Sequence, residues 1–583
     1  MIKLLKKMGY KQVLLIVCAV ILITFQVFLE LKIPDYMSKI TELVQTTGSN
    51  MSDILIQGLF MMGCAFISLF SAVIVGYITS LVSATFSKNT REEIFNKVED
   101  YGMEEIKKFS TSSLITRTTN DVTQIEMLLS MGIQLMFRAP IMAIWALIKI
   151  LGKGTEWTIA TGVGVVILLS FVITLMLIVV PKFKIVQKLI DKMNNVTREN
   201  LTGIRVIRAF NAENYQKDRF EDVNSELTNI QLFTQKGFAI MSPMMNIVMH
   251  GLTLAIYLIG IVLINSASMV DKVSLFSDMV VFTSYSMQVI MSFLFLAMIF
   301  MIIPRAQVSA NRIVEVLETN SSIKDGKITK GKDGIKGTVE FKNVSFKYPD
   351  ADEYLIKNIS LTINKGETVA FIGSTGSGKS TLVNLIPRFY DVTDGEILVD
   401  GVNVKDYKLH LLHDKLGYIS QKAFMFDGTI NSNVSYGSDF NEEKVIKSLE
   451  VAQAYDFVSN MDDKCESHIA RGGTNVSGGQ KQRLSIARAI YKNPEIYIFD
   501  DSFSALDYKT DSTLRKTLKE YAKGSTFIIV AQRIGTILNA DKIVVLDKGK
   551  CVGMGTHKEL LKDCEVYKEI ALSQLSKEEL ENA

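Results

Sequence analysis

Residues 373–381 read Gly-Ser-Thr-Gly-Ser-Gly-Lys-Ser-Thr and follow the apolar run Thr368-Val-Ala-Phe-Ile372. Gly373, Gly378, Lys379 and Ser380 satisfy every specified position of the pattern GxxxxGK[ST], with Ser374, Thr375, Gly376 and Ser377 between them and Thr381 after. The context that pattern needs is also present: a buried strand before it and a helix-forming run, Thr381 to Ile386, behind it. Glycines let the backbone turn so closely that successive N–H groups aim at one β-phosphate, beside a helix N-terminus whose dipole favours an anion. Lys379 is spaced to reach the β- and γ-phosphates, and the Ser380 hydroxyl to take one Mg²⁺ position. The chemistry indicated is the binding of a nucleoside triphosphate with Mg²⁺.

What carries this loop is a chain of 583 residues, too long for one core at about 150 residues per domain. The composition is uneven: the first 305 residues hold long uncharged runs, and the remainder reads as a soluble domain. A net charge of +3 gives no basic excess for nucleic acid. Cys18, Cys64, Cys465, Cys551 and Cys564 show neither CxxC nor zinc-type spacing and read as free thiols.

Uncharged runs occupy 12–29, 54–87, 157–181 and 279–304; 237–270 is interrupted only by His250, and 127–148 holds one charge, Arg138. Each reaches the ~18 residues of a candidate spanning helix. Counting back ~20 residues from the hydrophilic break at 152–156 places Arg138 near one interface, where it reads as a snorkelling residue. Lysine and arginine set the orientation. There are four in 1–11, six in 88–126 and ten in 182–236, against two in 30–53, two in 149–156 and one in 271–278. The basic side is cytoplasmic, so six spans leave both termini and the phosphate loop inside. The two 34-residue runs would make helices of about 51 Å, beyond a ~30 Å hydrocarbon layer, and are expected to continue into the cytoplasm.

Family resemblance enters at the cytoplasmic loops. Phe109-Ser-Thr-Ser-Ser-Leu-Ile-Thr-Arg117 with Asn120-Asp-Val122, and Glu199-Asn-Leu-Thr-Gly-Ile-Arg-Val-Ile-Arg-Ala-Phe210 with Glu213, resemble the two coupling loops of ATP-binding cassette (ABC) exporters. The last part of the chain agrees. Val476-Ser477-Gly478-Gly479-Gln480 resembles the ABC signature, with Val for the usual Leu. Ile496-Tyr-Ile-Phe-Asp500 is similar to the second acidic strand, whose Asp500 would anchor Mg²⁺ through its water shell. Tyr348 matches the aromatic that stacks on adenine, and Gln421 the glutamine that touches Mg²⁺ and the attacking water. Ser504-Ala-Leu-Asp507 matches a dimer-interface stretch. The resemblance implies a membrane α-helical domain of six spans (residues 1–305), a linker (306–336) and an α/β nucleotide-binding domain (337–583). It further implies ATP sandwiched between two such domains, one phosphate loop facing the other chain's Ser477, Gly479 and Gln480.

At two positions the chain departs from the family pattern. Asp501 stands where the hydrolytic glutamate is expected, and Gln532 where the switch histidine is expected. Aspartate is one methylene shorter, so its carboxylate falls about an ångström short of the water it should orient, a displacement that can cost ~100-fold. Glutamine hydrogen-bonds but lacks histidine's ring geometry and its titration near neutral pH. With His468-Ile-Ala-Arg-Gly-Gly-Thr-Asn475, these residues resemble the degenerate-site subunit of heterodimeric bacterial multidrug exporters. The expected partners are a second half-transporter chain, the lipid bilayer of the cytoplasmic membrane and a hydrophobic or amphiphilic small molecule. A homodimeric exporter of lipid, drug or peptide with slow ATPase, or an ATP-sensing regulatory subunit, stands as the alternative. Six spans exclude a soluble DNA-repair ATPase. A fused exporter order argues against an importer, and with no domain ahead of the first span a built-in leader protease is not expected. Met244, Met245, Asn246, His250, Tyr285 and Gln288 are polar or adaptable residues in spans that could line a cavity.

Overall fold

Because hydrocarbon offers no water to exposed backbone groups, each apolar run must satisfy its own N–H and C=O groups, and a helix does so within one segment. The computed structural model describes residues 1–46, 48–151 and 154–575. Among them are six helical stretches long and apolar enough to cross a membrane: Tyr10–Gln45, Met51–Glu99, Thr111–Leu151, Thr155–Thr202, Glu213–Ser266 and Asp271–Glu318. The run 54–87 lies inside one unbroken helix of 49 residues, about 74 Å long. The helix simply continues past the apolar stretch into its charged end, as the run's excess length required. The run 237–270 is reached differently: a polar helix Glu213–Ala239 ends at Ile240 and Met241–Ser266 follows.

Two compact units result, one of residues 1–99 and 112–319, the other of 100–111 and 320–583. Within the first, Trp157, Phe282 and Tyr285 are fully buried, and the Trp157 indole donates to the Ile256 carbonyl at 3.1 Å. Gly260 permits a close approach there, since a Cβ on it would lie 2.4 Å from the Met279 sulfur. Two oppositely charged pairs lie inside the spans. Arg138 donates through Nη2 to both oxygens of Glu30 at 3.0 Å, so it is neutralised by an acid on another helix and does not need to snorkel. Lys149 meets Asp35 at 2.7 Å, and the Tyr285 hydroxyl also donates to Asp35.

The second unit is built on a six-stranded sheet, in the order 550–555, 542–547, 368–373, 526–530, 496–500, 416–419. All neighbours are parallel except the first pair. Strands Ile496–Asp500 and Thr526–Val530 are buried at every residue, the continuous apolar pattern of a parallel sheet covered on both faces. A four-stranded antiparallel sheet, in the order 356–363, 339–346, 394–399, 402–403, packs its inner residues into a shared core with Val369, Phe371 and Ile498. Residues 324–337 do not hang free: Gly326 and Ile328 donate to the carbonyls of Tyr407 and Asp406 at 3.0 and 2.8 Å. Arg388 also donates to the Lys324 carbonyl at 2.9 Å. In the segment 100–111, Glu105 accepts from the backbone of Gly102 at 3.0 Å and of Ser322 at 2.9 Å.

Candidate nucleotide site

Strand register decides what meets at the site. Val530 pairs with both Phe371 and Asp500, so the C-terminal ends of three parallel strands release Gly373, Asp501 and Gln532 side by side. Ligands of open α/β sheets gather at such carboxyl ends. Helix Lys379–Asn384 begins two residues earlier than the Thr381 expected from sequence, so Lys379 and Ser380 form its first turn. Gly378 stands before it at φ +95°, and a Cβ there would lie 2.5 Å from the Ile356 side chain. Gly373 is tighter still, 2.0 Å from the Leu546 carbonyl to a would-be Cβ. At both positions the loop admits only glycine.

Lys379 arches over its own loop and donates to the carbonyls of Gly373 and Ser374, each at 2.8 Å. Burial pushes its ammonium below the usual lysine range, with Asp501 and Asp500 opposing. The Ser380 hydroxyl donates to Asp500 at 2.6 Å. Ser380, Asp500 and the Gln421 amide oxygen are hard-oxygen groups that could hold Mg²⁺. Gln421 and Gln532 both direct their amide N–H groups at a single oxygen, Oδ2 of Asp501, at 3.0 and 2.7 Å. Asp501 itself holds φ +50°, a left-handed conformation that aspartate tolerates better than most residues.

The carboxyls of Asp500 and Asp501 are pushed above the ordinary carboxylate range, burial being the largest cause in each. A carboxylate whose folded pKa exceeds its unfolded value of 3.8 binds more protons in the folded chain between the two values. Stability therefore falls as pH rises through that window, and the deficit persists at neutral pH. Asp501→Asn keeps one oxygen acceptor for the two amides and removes the charge. It is expected to raise the nucleotide-free Tm at pH 7 and to narrow the Tm difference between mildly acidic and neutral buffer. Thermal scans at several pH values check this, and an unchanged or lower Tm would contradict it.

Ser477 caps helix Gly478–Lys492 by reciprocal bonding. Its hydroxyl accepts from the Gln480 N–H at 3.3 Å, while the Gln480 side chain accepts from the Ser477 N–H at 2.8 Å. The first turn thus keeps N–H groups uncommitted beside a positive dipole end, an anion-binding arrangement. Gly479 is fitted against the Ala505 carbonyl, 3.2 Å from a would-be Cβ. Asp507 caps helix Tyr508–Tyr521 by accepting from the Thr510 N–H at 3.0 Å, which with the Thr510 hydroxyl lowers its pKa.

Residues 13–293 match the ABC transporter transmembrane region family and residues 356–504 the ABC transporter family. An uncharacterised ABC transporter ATP-binding protein of Mycobacterium tuberculosis is 38% identical over 525 residues, 89% of this chain and 88% of that one. This chain belongs to the ABC transporters. An uncharacterised ABC transporter ATP-binding protein of Bacillus subtilis is 33% identical over 90% of both chains. An ATP-dependent lipid A-core flippase of Syntrophus aciditrophicus is 31% identical over 86% of this chain and 81% of that one. A solved bacterial Atm1-family ABC exporter with ATP bound shares the fold, with a TM-score of 0.82 at 21% identity, covering 97% of this chain and all of that one. The protein is a half-transporter, a membrane-spanning helical domain followed by one ABC domain, a fold that implies dimerisation.

Several neighbours of the transporter's nucleotide site lay outside the sequence reading. Tyr418 donates to Asn384 at 2.8 Å and lies 3.5 Å from Asp500; burial raises its phenol well above the ordinary range. Tyr348, read from sequence without its partners, meets Phe346 and Tyr390 edge to face and shares a hydrogen bond with Thr381 at 3.1 Å. The Lys107 ammonium sits 4.8 Å over its ring. Gln574 donates to the Gln532 carbonyl and accepts from the Ile534 N–H, each at 2.8 Å, fixing the turn that presents Gln532. Arg533 clamps the carbonyls of Ser504 and Leu506 at 3.1 and 3.2 Å. No motif spacing signals these contacts.

Proposed function

We propose that the half-transporter is the slow-site member of a heterodimeric exporter of hydrophobic or amphiphilic small molecules, set in a bacterial cytoplasmic membrane with its ABC domain inside. The observation that carries this is the convergence of two neutral amides on the short carboxylate of Asp501. A water-activating base needs reach to the attacking water and a partner that holds the transition state. Asp501 lacks the reach, and Gln532 supplies a neutral donor where an imidazole is expected.

ATP binds with its phosphates in the loop 373–381, its base on Tyr348 and its γ-phosphate facing the partner's signature turn. Ser380, Gln421 and Asp500 would hold Mg²⁺, which would supply charge neutralisation for the phosphates. This chain lends Ser477, Gly479 and Gln480 to the partner's phosphate loop, where turnover takes place. ATP binding supplies differential contacts that favour the joined domains, and hydrolysis in the complete site gives the cycle its direction. The relatives named lipid A-core flippases support a second reading, a self-paired exporter of a lipid.

Co-expression with candidate half-transporters separates the readings. The expected result is a one-to-one pair with ATP-dependent uptake of a fluorescent amphiphile into inverted vesicles. That uptake should survive Asp501→Asn here and stop when the partner's catalytic glutamate is replaced. A self-paired chain that transports alone would favour the lipid reading. A pair that binds ATP and moves nothing would make the chain a nucleotide sensor.

A further inference from the structure

Within the membrane unit, a cavity of about 490 Å³ opens between the helices Tyr10–Gln45, Ile133–Leu151 and Met269–Glu318. Its volume lies in the ~300–1,000 Å³ range of small-molecule sites. Met37, Met142, Met287 and Met291 contribute much of its wall. Methionine is flexible and polarisable, so such a wall accepts apolar bodies of varied outline. Of the six residues singled out as cavity candidates from sequence, Gln288 alone lines it. Tyr285 is instead fully buried and bonded to Asp35 and to the Leu31 carbonyl.

The polar groups of this cavity are unevenly committed. Glu30 is spent: its Oε1 accepts from Arg138 at 3.0 Å, Gln26 at 2.9 Å and Ser68 at 3.4 Å, and its Oε2 from Arg138 at 3.0 Å. Arg138 is not. Both of its bonds leave from Nη2, and among the described residues its Nε and Nη1 donate to nothing. Gln288 lines the wall as well, but its Oε1 is shut off from the open space. A guanidinium edge with spare N–H groups matches the geometry of an oxyanion. A cation would meet a carboxylate already filled and an arginine that repels it.

We infer that this cavity binds an anionic amphiphile: an oxyanion such as a carboxylate or phosphate on the free edge of Arg138, and an apolar tail among the methionines. The inference rests on the export reading for its physiological sense, and it names the substrate class of that reading.

The test uses the full chain in phosphatidylcholine nanodiscs and dodecanoate as probe, with dodecyltrimethylammonium as chain-matched control. Binding is read by native mass spectrometry and calorimetry. The acid is expected to bind about tenfold or more tighter than the cation, the difference made by one charge-assisted hydrogen bond. The paired substitution Glu30→Gln with Arg138→Gln removes both charges together and leaves neither unpaired; it should abolish that preference. Nucleotide binding and Tm report that the variant is folded.

Equal binding of anion and cation, or a paired variant that binds the acid as the parent does, would overturn the inference. Nanodiscs doped with phosphatidylglycerol identify the source of the oxyanion. Displacement of the probe by that lipid, lost in the paired variant, supports the site with a bilayer headgroup as its ligand; undiminished probe binding supports a free solute. Failure of binding with ATP-driven transport intact would sink this site and leave the export reading standing.

Discussion

Reconstituted in lipid with no other half-transporter, the chain is expected to turn over ATP slowly, and Asp501→Glu combined with Gln532→His to raise the rate on the order of 100-fold. On the slow-site reading, the added methylene restores the reach that Asp501 lacks. The imidazole restores a group that can hold a proton near neutral pH, which the Gln532 amide does not. Both substitutions fall where the site can receive them. Gln421 already donates to the residue at 501, and Gln574 already fixes the turn carrying residue 532 by two 2.8 Å bonds. Each single substitution should recover much less than the pair, because a base and its partner act as a unit and are not additive. ATPase assays of the parent, both singles and the double variant check this. A parent that hydrolyses ATP briskly, and stops on Asp501→Asn, would refute the slow-site reading.

The second large effect belongs to the signature. Ser477→Ala removes a helix cap and, in the paired arrangement proposed above, the hydroxyl that would meet the nucleotide on the partner's phosphate loop. Loss of one preorganised donor to developing charge costs roughly 100- to 1,000-fold in turnover. The paired transporter should lose ATPase by that order. ATP binding to this chain's own loop should stay unchanged, since the contacts of Lys379 and Ser380 lie elsewhere in the domain. A cap alone is worth about 1 kcal/mol, so a small fall in Tm accompanies the loss without explaining it. Equilibrium binding of a fluorescent ATP analogue, measured beside turnover, separates the two. Unimpaired turnover in the pair would refute the donated-signature arrangement.

How much of this was legible in the sequence depends on how far apart the cooperating residues stand. The phosphate loop was legible because its glycines answer local backbone demands: a Cβ at Gly373 or Gly378 collides within 2.0 or 2.5 Å. The spans were legible because apolar length is itself the constraint that hydrocarbon imposes. Partnerships across long separations left no such mark. Glu30 and Arg138 stand 108 positions apart, so the arginine read as an interface residue until the fold supplied its acid. Asp501, Gln421 and Gln532 each matched or departed from a family position. That both amides address one oxygen of Asp501 follows only from strand register and the turns after the strands. Glycine and lysine in 324–337 read as a loose connector, and composition could not reveal backbone bonds to Asp406 and Tyr407.

That connector has a mechanical corollary. The last membrane helix ends at Glu318, and the backbone is anchored again at Ser322 by Glu105 and at Gly326 by the Tyr407 carbonyl. Only four Cα steps separate the helix end from the first anchor, roughly 14 Å when fully drawn out. A tether so short is a drawbar: it caps the span it can bridge at that length, and any motion that tried to exceed it would load the tether itself.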